Sequence, residues 1–158
     1  MFKTINGGLM PQRGSKYAAC VDLYANEDIV IGAGETKLVG LGVCIELDFN
    51  AVSEKFNIYT GYQHKKAIDI FLKSHYLQLM LRSSLGKKGL VIPNGVGVID
   101  MDYADEIKVM IHNPIGGNDF YIVRGERVVQ CALLEHKSYL FDIDTDNQRD
   151  GGFGSTGR

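Results

Sequence analysis

No stretch of this 158-residue chain is apolar for the length a bilayer-spanning helix needs, so no membrane association is expected. Cysteine is scarce. Cys20, Cys44 and Cys131 are odd in number and widely spaced, which argues against a disulfide-framed scaffold and for reduced thiols in a core. Charge of one sign is missing too. Seventeen Lys and Arg against nineteen Asp and Glu leave a net charge of -2, with no basic field for nucleic acid and no acidic tract for a solvating tail. His64, His75, His112 and His136 show no metal-ligand spacing with one another or with cysteine, so a metal should arrive with its ligand. Met1-Phe2-Lys3-Thr4 carries no secretory pattern, and the expected location is the cytoplasm of a bacterial cell or a virus-infected host.

What the chain does have is an ordinary globular composition, 45% apolar and 23% charged, at a length that suits one domain spanning residues 1–158. Short runs of Val, Ile and Leu alternate with Gly, Asn and Asp. Thr36 to Leu47 reads as extended, with Val39, Leu41, Val43, Ile45 and Leu47 on one face at period two. Further strands are expected at Tyr76–Leu81, Val96–Ile99, Glu106–His112, Asp119–Val123 and Val128–Leu134. Many short strands with turn signals between them predict an all-β sandwich, jelly roll or barrel.

Three segments stand out. Asn94-Gly95, between Leu90-Val91-Ile92 and Val96-Gly97-Val98-Ile99, predicts a tight hairpin turn with positive φ at both central residues. Gly97 inside the return strand marks either a purely structural hairpin or a place where something approaches the backbone. Residues 50–74 differ in character: His64 to Lys73 fits a short amphipathic helix with Ile68, Phe71 and Leu72 clustered and Ile70 spoiling the polar face. A strand-loop-strand excursion fits as well. Finally, residues 149–158 set glycines, Ser155 and Thr156 around the single ring of Phe153, a composition that cannot build a core. Such a tail can wrap a ligand, with amides near phosphate and the ring on a flat base.

Five ordered segments together resemble the motifs of the trimeric deoxyuridine triphosphate nucleotidohydrolases (dUTPases). They are Ala18-Ala19-Cys20-Val21-Asp22-Leu23-Tyr24-Ala25; Arg82-Ser83-Ser84-Leu85-Gly86; Asn94 through Tyr103; Gly125-Glu126-Arg127-Val128-Val129-Gln130; and Gly152-Phe153-Gly154-Ser155-Thr156-Gly157. The resemblance covers the chain apart from residues 50–74, and those residues read as an insertion. It implies a jelly-roll-like β domain, a homotrimer with shared active sites, and a C-terminal arm at residues 146–158. One subunit would supply the first, second and fourth motifs, a second the hairpin, and a third its arm.

The implied reaction is hydrolysis of dUTP to dUMP and pyrophosphate, which limits uracil in DNA and supplies dUMP for dTMP synthesis. Asp100 matches the carboxylate that orients and deprotonates the attacking water. Arg82, Ser83, Ser84 and Gln130 match phosphate-contacting positions; Arg149, Gly154, Ser155 and Thr156 of the arm belong with them, and Phe153 is its stacking ring. Asn94, Gly97, Val98 and Ile99 would frame the uracil, Tyr103 would pack on the deoxyribose, and Lys108 joins the substrate-binding set. The implied cofactor is Mg²⁺, held mainly by phosphate oxygens and waters because this ion dehydrates reluctantly. Asp22 either touches that water shell or makes a structural hydrogen bond.

The chain departs from the family pattern in four places. Leu81 stands where the family places proline, and Glu126 where it places aspartate; Glu126 should still pair with Arg82. Arg149 lies four residues before Phe153 rather than five, with Gln148 in the expected place and Arg158 as a possible substitute. The insertion is the fourth departure, either a surface decoration or a site for a protein partner. The related dCTP deaminases need a glutamate where Met110 stands and an arginine where Lys87 stands, which disfavours deamination. A non-enzymatic nucleotide switch is the rival from another class.

Overall fold

The computed structural model describes residues 1–48, 62–114, 116 and 118–141. The apolar alternation of the sequence becomes a five-stranded antiparallel sheet in the order β2 (Gln12–Arg13), β3 (Val21–Tyr24), β11 (Arg127–Glu135), β7 (His75–Leu81) and β8 (Gly97–Asp100). Three two-stranded pairs accompany it among the described residues: β1 (Phe2–Thr4) with β6 (Val43–Ile45), β4 (Ile29–Ile31) with β10 (Phe120–Ile122), and β5 (Thr36–Gly40) with β9 (Lys108–His112). Inward side chains of all these layers meet in one core, in which Ile31, Val39, Val43, Leu79, Ile107 and Ile111 are wholly buried. All-β architecture is therefore observed, as expected.

The predicted extended run from Thr36 to Leu47 is two strands, broken at Gly42. Gly42 has φ +64°, and a Cβ there would lie 2.6 Å from the Gly8 Cα. Backbone meets backbone at this point, which only glycine permits. Val39, Leu41 and Val43 still share the core, because the break preserves their facing.

The hairpin at Asn94-Gly95 is corrected. Gly95 alone has positive φ, +81°, and its N–H donates to the Ile92 carbonyl at 2.9 Å. The turn thus runs Ile92-Pro93-Asn94-Gly95, with proline pre-setting φ at the second position. Its flanks do not pair with each other: Val91 bridges to His112 and β8 joins β7. Gly97 has a structural reason as well, since a Cβ there would lie 3.0 Å from the Leu79 Cβ across the ladder.

Of the two readings for residues 50–74, the helix is the one present, α1 (Tyr62–Ser74); residues 49–61 lie outside the described residues. Phe71 and Leu72 pack on the core, while Ile70 is 55% exposed. Two side chains fold back onto the last turn of the helix. Ser74 Oγ donates to the Ile70 carbonyl at 2.5 Å, and His75 Nδ1 lies 3.1 Å from the Phe71 carbonyl with its ring stacked on Phe71. No linker intervenes before β7. The arm, with Arg149, Phe153, Gly154, Ser155 and Thr156, also lies outside the described residues.

Candidate active site

The outer face of the five-stranded sheet carries the chemistry. Register aligns Asp22 on β3 with Gln130 on β11, and Gln130 in turn with Met80 on β7. Arg82 follows β7 directly and enters α2 (Ser83–Gly86), its N–H donating to the Val128 carbonyl at 3.0 Å. Asp22, Arg82, Arg127 and Gln130 line one wall of a cleft of about 450 Å³. The loop carrying Gly14, Ser15, Ala18, Ala19 and Cys20 forms the other wall, with Arg13 donating to the Ala18 carbonyl to hold its shape.

Asp22 organises the charge. Its Oδ2 forms a tight ion pair with Arg82, whose Nη1 is shut off from solvent, and lies 3.3 Å from the Arg127 Nη1. Glu126 does not pair with Arg82 as expected. Its carboxylate instead accepts the Val123 N–H at 3.3 Å within its own turn, because Asp22 already occupies the space beside Arg82.

The remaining candidates lie elsewhere on the chain. Asp100 is exposed at the end of edge strand β8, opposite Tyr76 in register. Three strand spacings, about 14 Å, separate β8 from β3. Within β7, Tyr76 opposite Asp100 is at the end remote from Arg82, and Asp100 does not line the cleft. Asn94 and Val98 are exposed, Gly97 and Lys108 half-buried, and Ile99 buried in the core. Ser83 and Ser84 are exposed on α2 beside Arg82. Tyr103 is 6% exposed, and its hydroxyl donates to the Glu106 carbonyl at 3.2 Å, so its ring is a fixed wall rather than a mobile lid.

Six residues that line the cleft are not among the candidates the sequence offers: Gly14, Ser15, Ala18, Ala19, Cys20 and Arg127. Cys20 is half-buried, whereas Cys44 and Cys131 are buried and free. Burial, aided by the nearby Cys20, pushes the Cys131 thiol up to about 12, so it stays protonated. Among the described residues no three His, Cys, Asp or Glu side chains converge as a metal site, and no helix is long and apolar enough to cross a membrane. Asp22 is the cleft's carboxylate, and two arginines already engage it, which fits contact with a metal's water shell better than direct ligation.

Two arginines, a shared carboxylate and an amide gathered around one cleft of an all-β chain are the side-chain types that suit phosphate. The family model described as dUTPase matches residues 51–157. The deoxyuridine 5'-triphosphate nucleotidohydrolase of Nautilia profundicola is 33% identical over 155 residues, covering 95% of this chain and 92% of that protein. A dUTPase crystal structure from Streptococcus mutans has a TM-score of 0.63 at 28% identity, covering 91% of this chain and 98% of that one. A mutant of the Staphylococcus bacteriophage 80alpha dUTPase with dUpNHpp reaches a TM-score of 0.67 at 18% identity, covering 100% and 98%, and shares the fold. The chain belongs to the dUTPase family.

Proposed function

We propose that this protein hydrolyses dUTP to dUMP and pyrophosphate in the cytoplasm as a homotrimer with sites shared between subunits. The observation that carries the reading is the split itself. Arg82, Asp22 and Gln130 share a cleft, while Asp100 lies on edge strand β8, beside the end of β7 remote from Arg82, and does not line that cleft. A second copy that sets its β8 against the cleft unites the two halves, and the C-terminal arm of a third covers them.

In that site the cleft holds the phosphates and Asp100 orients a water against the α-phosphorus. The new bond forms from water oxygen to phosphorus, the bond from phosphorus to the α,β-bridging oxygen breaks, and Asp100 takes the water's proton. A carboxylate is a weak base, so most of the acceleration falls to positioning and to cations aimed at the phosphates. Arg82, with Ser83 and Ser84 at the start of α2, and Gln130 supply those contacts; Lys108 and the arm's Arg149, Gly154, Ser155 and Thr156 extend them. Mg²⁺, held by the phosphates with Asp22 at its water shell, would neutralise charge on the phosphate oxygens.

Selectivity follows from the segment around Asn94. Backbone groups of Gly97, Val98 and Ile99 with the Asn94 amide match uracil's donor and acceptor edge, and Phe153 stacks on the base. Cytosine presents the wrong pattern and leaves buried polar groups unpaired, a mismatch that rejects strongly. Tyr103, anchored through its hydroxyl, has no freedom to make room for a 2′-hydroxyl. Deamination is disfavoured because Met110, in the middle of β9, offers no acid or base.

The test is pyrophosphate release from dUTP, dCTP, dTTP and UTP with Mg²⁺. Release from dUTP alone is the expected outcome. A folded protein that releases none from dUTP would overturn the assignment.

A further inference from the structure

We infer that Arg127 is a second phosphate-binding arginine, held against Asp22 until the phosphates of the substrate take it over; this rests on the reading of the cleft given above. Strand β11 shows how the residue comes to be there. Alternation along a regular strand would put Arg127 on the same face as Val129, which is fully buried in the core. Register instead shifts between these residues: Arg127 lies opposite Tyr24 and Val129 opposite Leu23. The extra residue, Val128, is absorbed as a bulge and buried, and Arg127 turns outward to the face that carries Gln130. Bulges beside binding sites commonly re-aim one side chain in this way.

The two arginines of the cleft are not equivalent. The Arg82 side chain is 21% exposed and locked to Asp22, whereas that of Arg127 is 54% exposed and touches the same oxygen at a longer 3.3 Å. Arg82 and Asp22 cancel each other's charge, so the trio's net charge of +1, two arginines less one carboxylate, resides in Arg127. A triphosphate entering the cleft therefore meets Arg127 as its more accessible cation. Releasing one exposed, long contact costs little, and a bidentate phosphate contact replaces it. Gln130, three residues on, presents its amide to the same cleft.

The probe is dUpNHpp, whose binding is measured at equilibrium on the wild type, Arg127→Gln, Asp22→Asn and the double variant. Gel filtration and circular dichroism would show that each is folded and assembled. Arg127→Gln should raise Kd about 10- to 100-fold, the loss of one charge-assisted hydrogen bond. The same loss should appear in the Asp22→Asn background, because the arginine then acts on the phosphate directly. Arg127→Lys, which keeps the charge but not the fork, should retain part of the affinity. An unchanged Kd for Arg127→Gln would overturn the inference. So would a loss that vanishes once Asp22 is Asn, since Arg127 would then only position Asp22. Wild-type protein that does not bind dUpNHpp would defeat the nucleotide reading itself, and this inference with it.

Discussion

Asp100→Asn should lower turnover of dUTP by about 10²- to 10⁴-fold while leaving Kd for dUpNHpp within a few-fold of wild type. The substitution keeps the shape of the side chain and removes its ability to accept the water's proton. Because the substitution is isosteric, stability should change by no more than about 1 kcal/mol. Residual activity would come from the cleft, which still binds and aligns the phosphates. Single-turnover rates and thermal melts on the same samples separate these effects. Unimpaired hydrolysis by the variant would mean that another group deprotonates the water.

The Arg82→Ala variant combines a catalytic and a structural loss. Its guanidinium is 21% exposed and its partner Asp22 12% exposed, so removal leaves a carboxylate uncompensated in a mostly buried place. Breaking a fully buried pair typically costs 3–5 kcal/mol; here Arg127 still lies 3.3 Å from the same oxygen, and about 2 kcal/mol is expected. For a chain of this size that is a fall in Tm of roughly 4–8 °C, read by calorimetry. Catalysis should fall further than stability. Losing a positioned donor to the phosphates costs about 10²- to 10³-fold in kcat/KM. A variant with wild-type kcat/KM would remove Arg82 from the phosphate site.

Much of this was legible in the sequence. Strands β7, β9, β10 and β11 were placed to within two residues, because each combines period-two alternation with turn residues at its ends. Strands β1, β2 and β4 are not legible there, since their two or three residues lie in no longer alternating apolar run. The flanks of Asn94-Gly95 suggested mutual pairing, and only tertiary context gives β8 to β7 and Val91 to His112. Arg82, Asp22 and Gln130, from three separate motifs, line one cleft. Arg127 was overlooked although it stands inside the fourth motif, because a bulge leaves no mark on the hydrophobic pattern. Glu126 was paired with the wrong residue for a related reason: sequence names the charges near Arg82 but not which of them arrives first.

The separation of Asp100 from the cleft has a consequence in mixtures of chains. With sites shared as proposed, a trimer assembled from Arg82→Ala and Asp100→Asn subunits, each strongly impaired alone, should contain some sites built from an intact arginine of one parent and an intact aspartate of the other. Random assortment leaves about a quarter of sites whole in this sense. Two defective alleles expressed together would thus complement each other, whereas two substitutions within the cleft, such as Arg82→Ala and Asp22→Asn, would spoil the same half of each site in every combination.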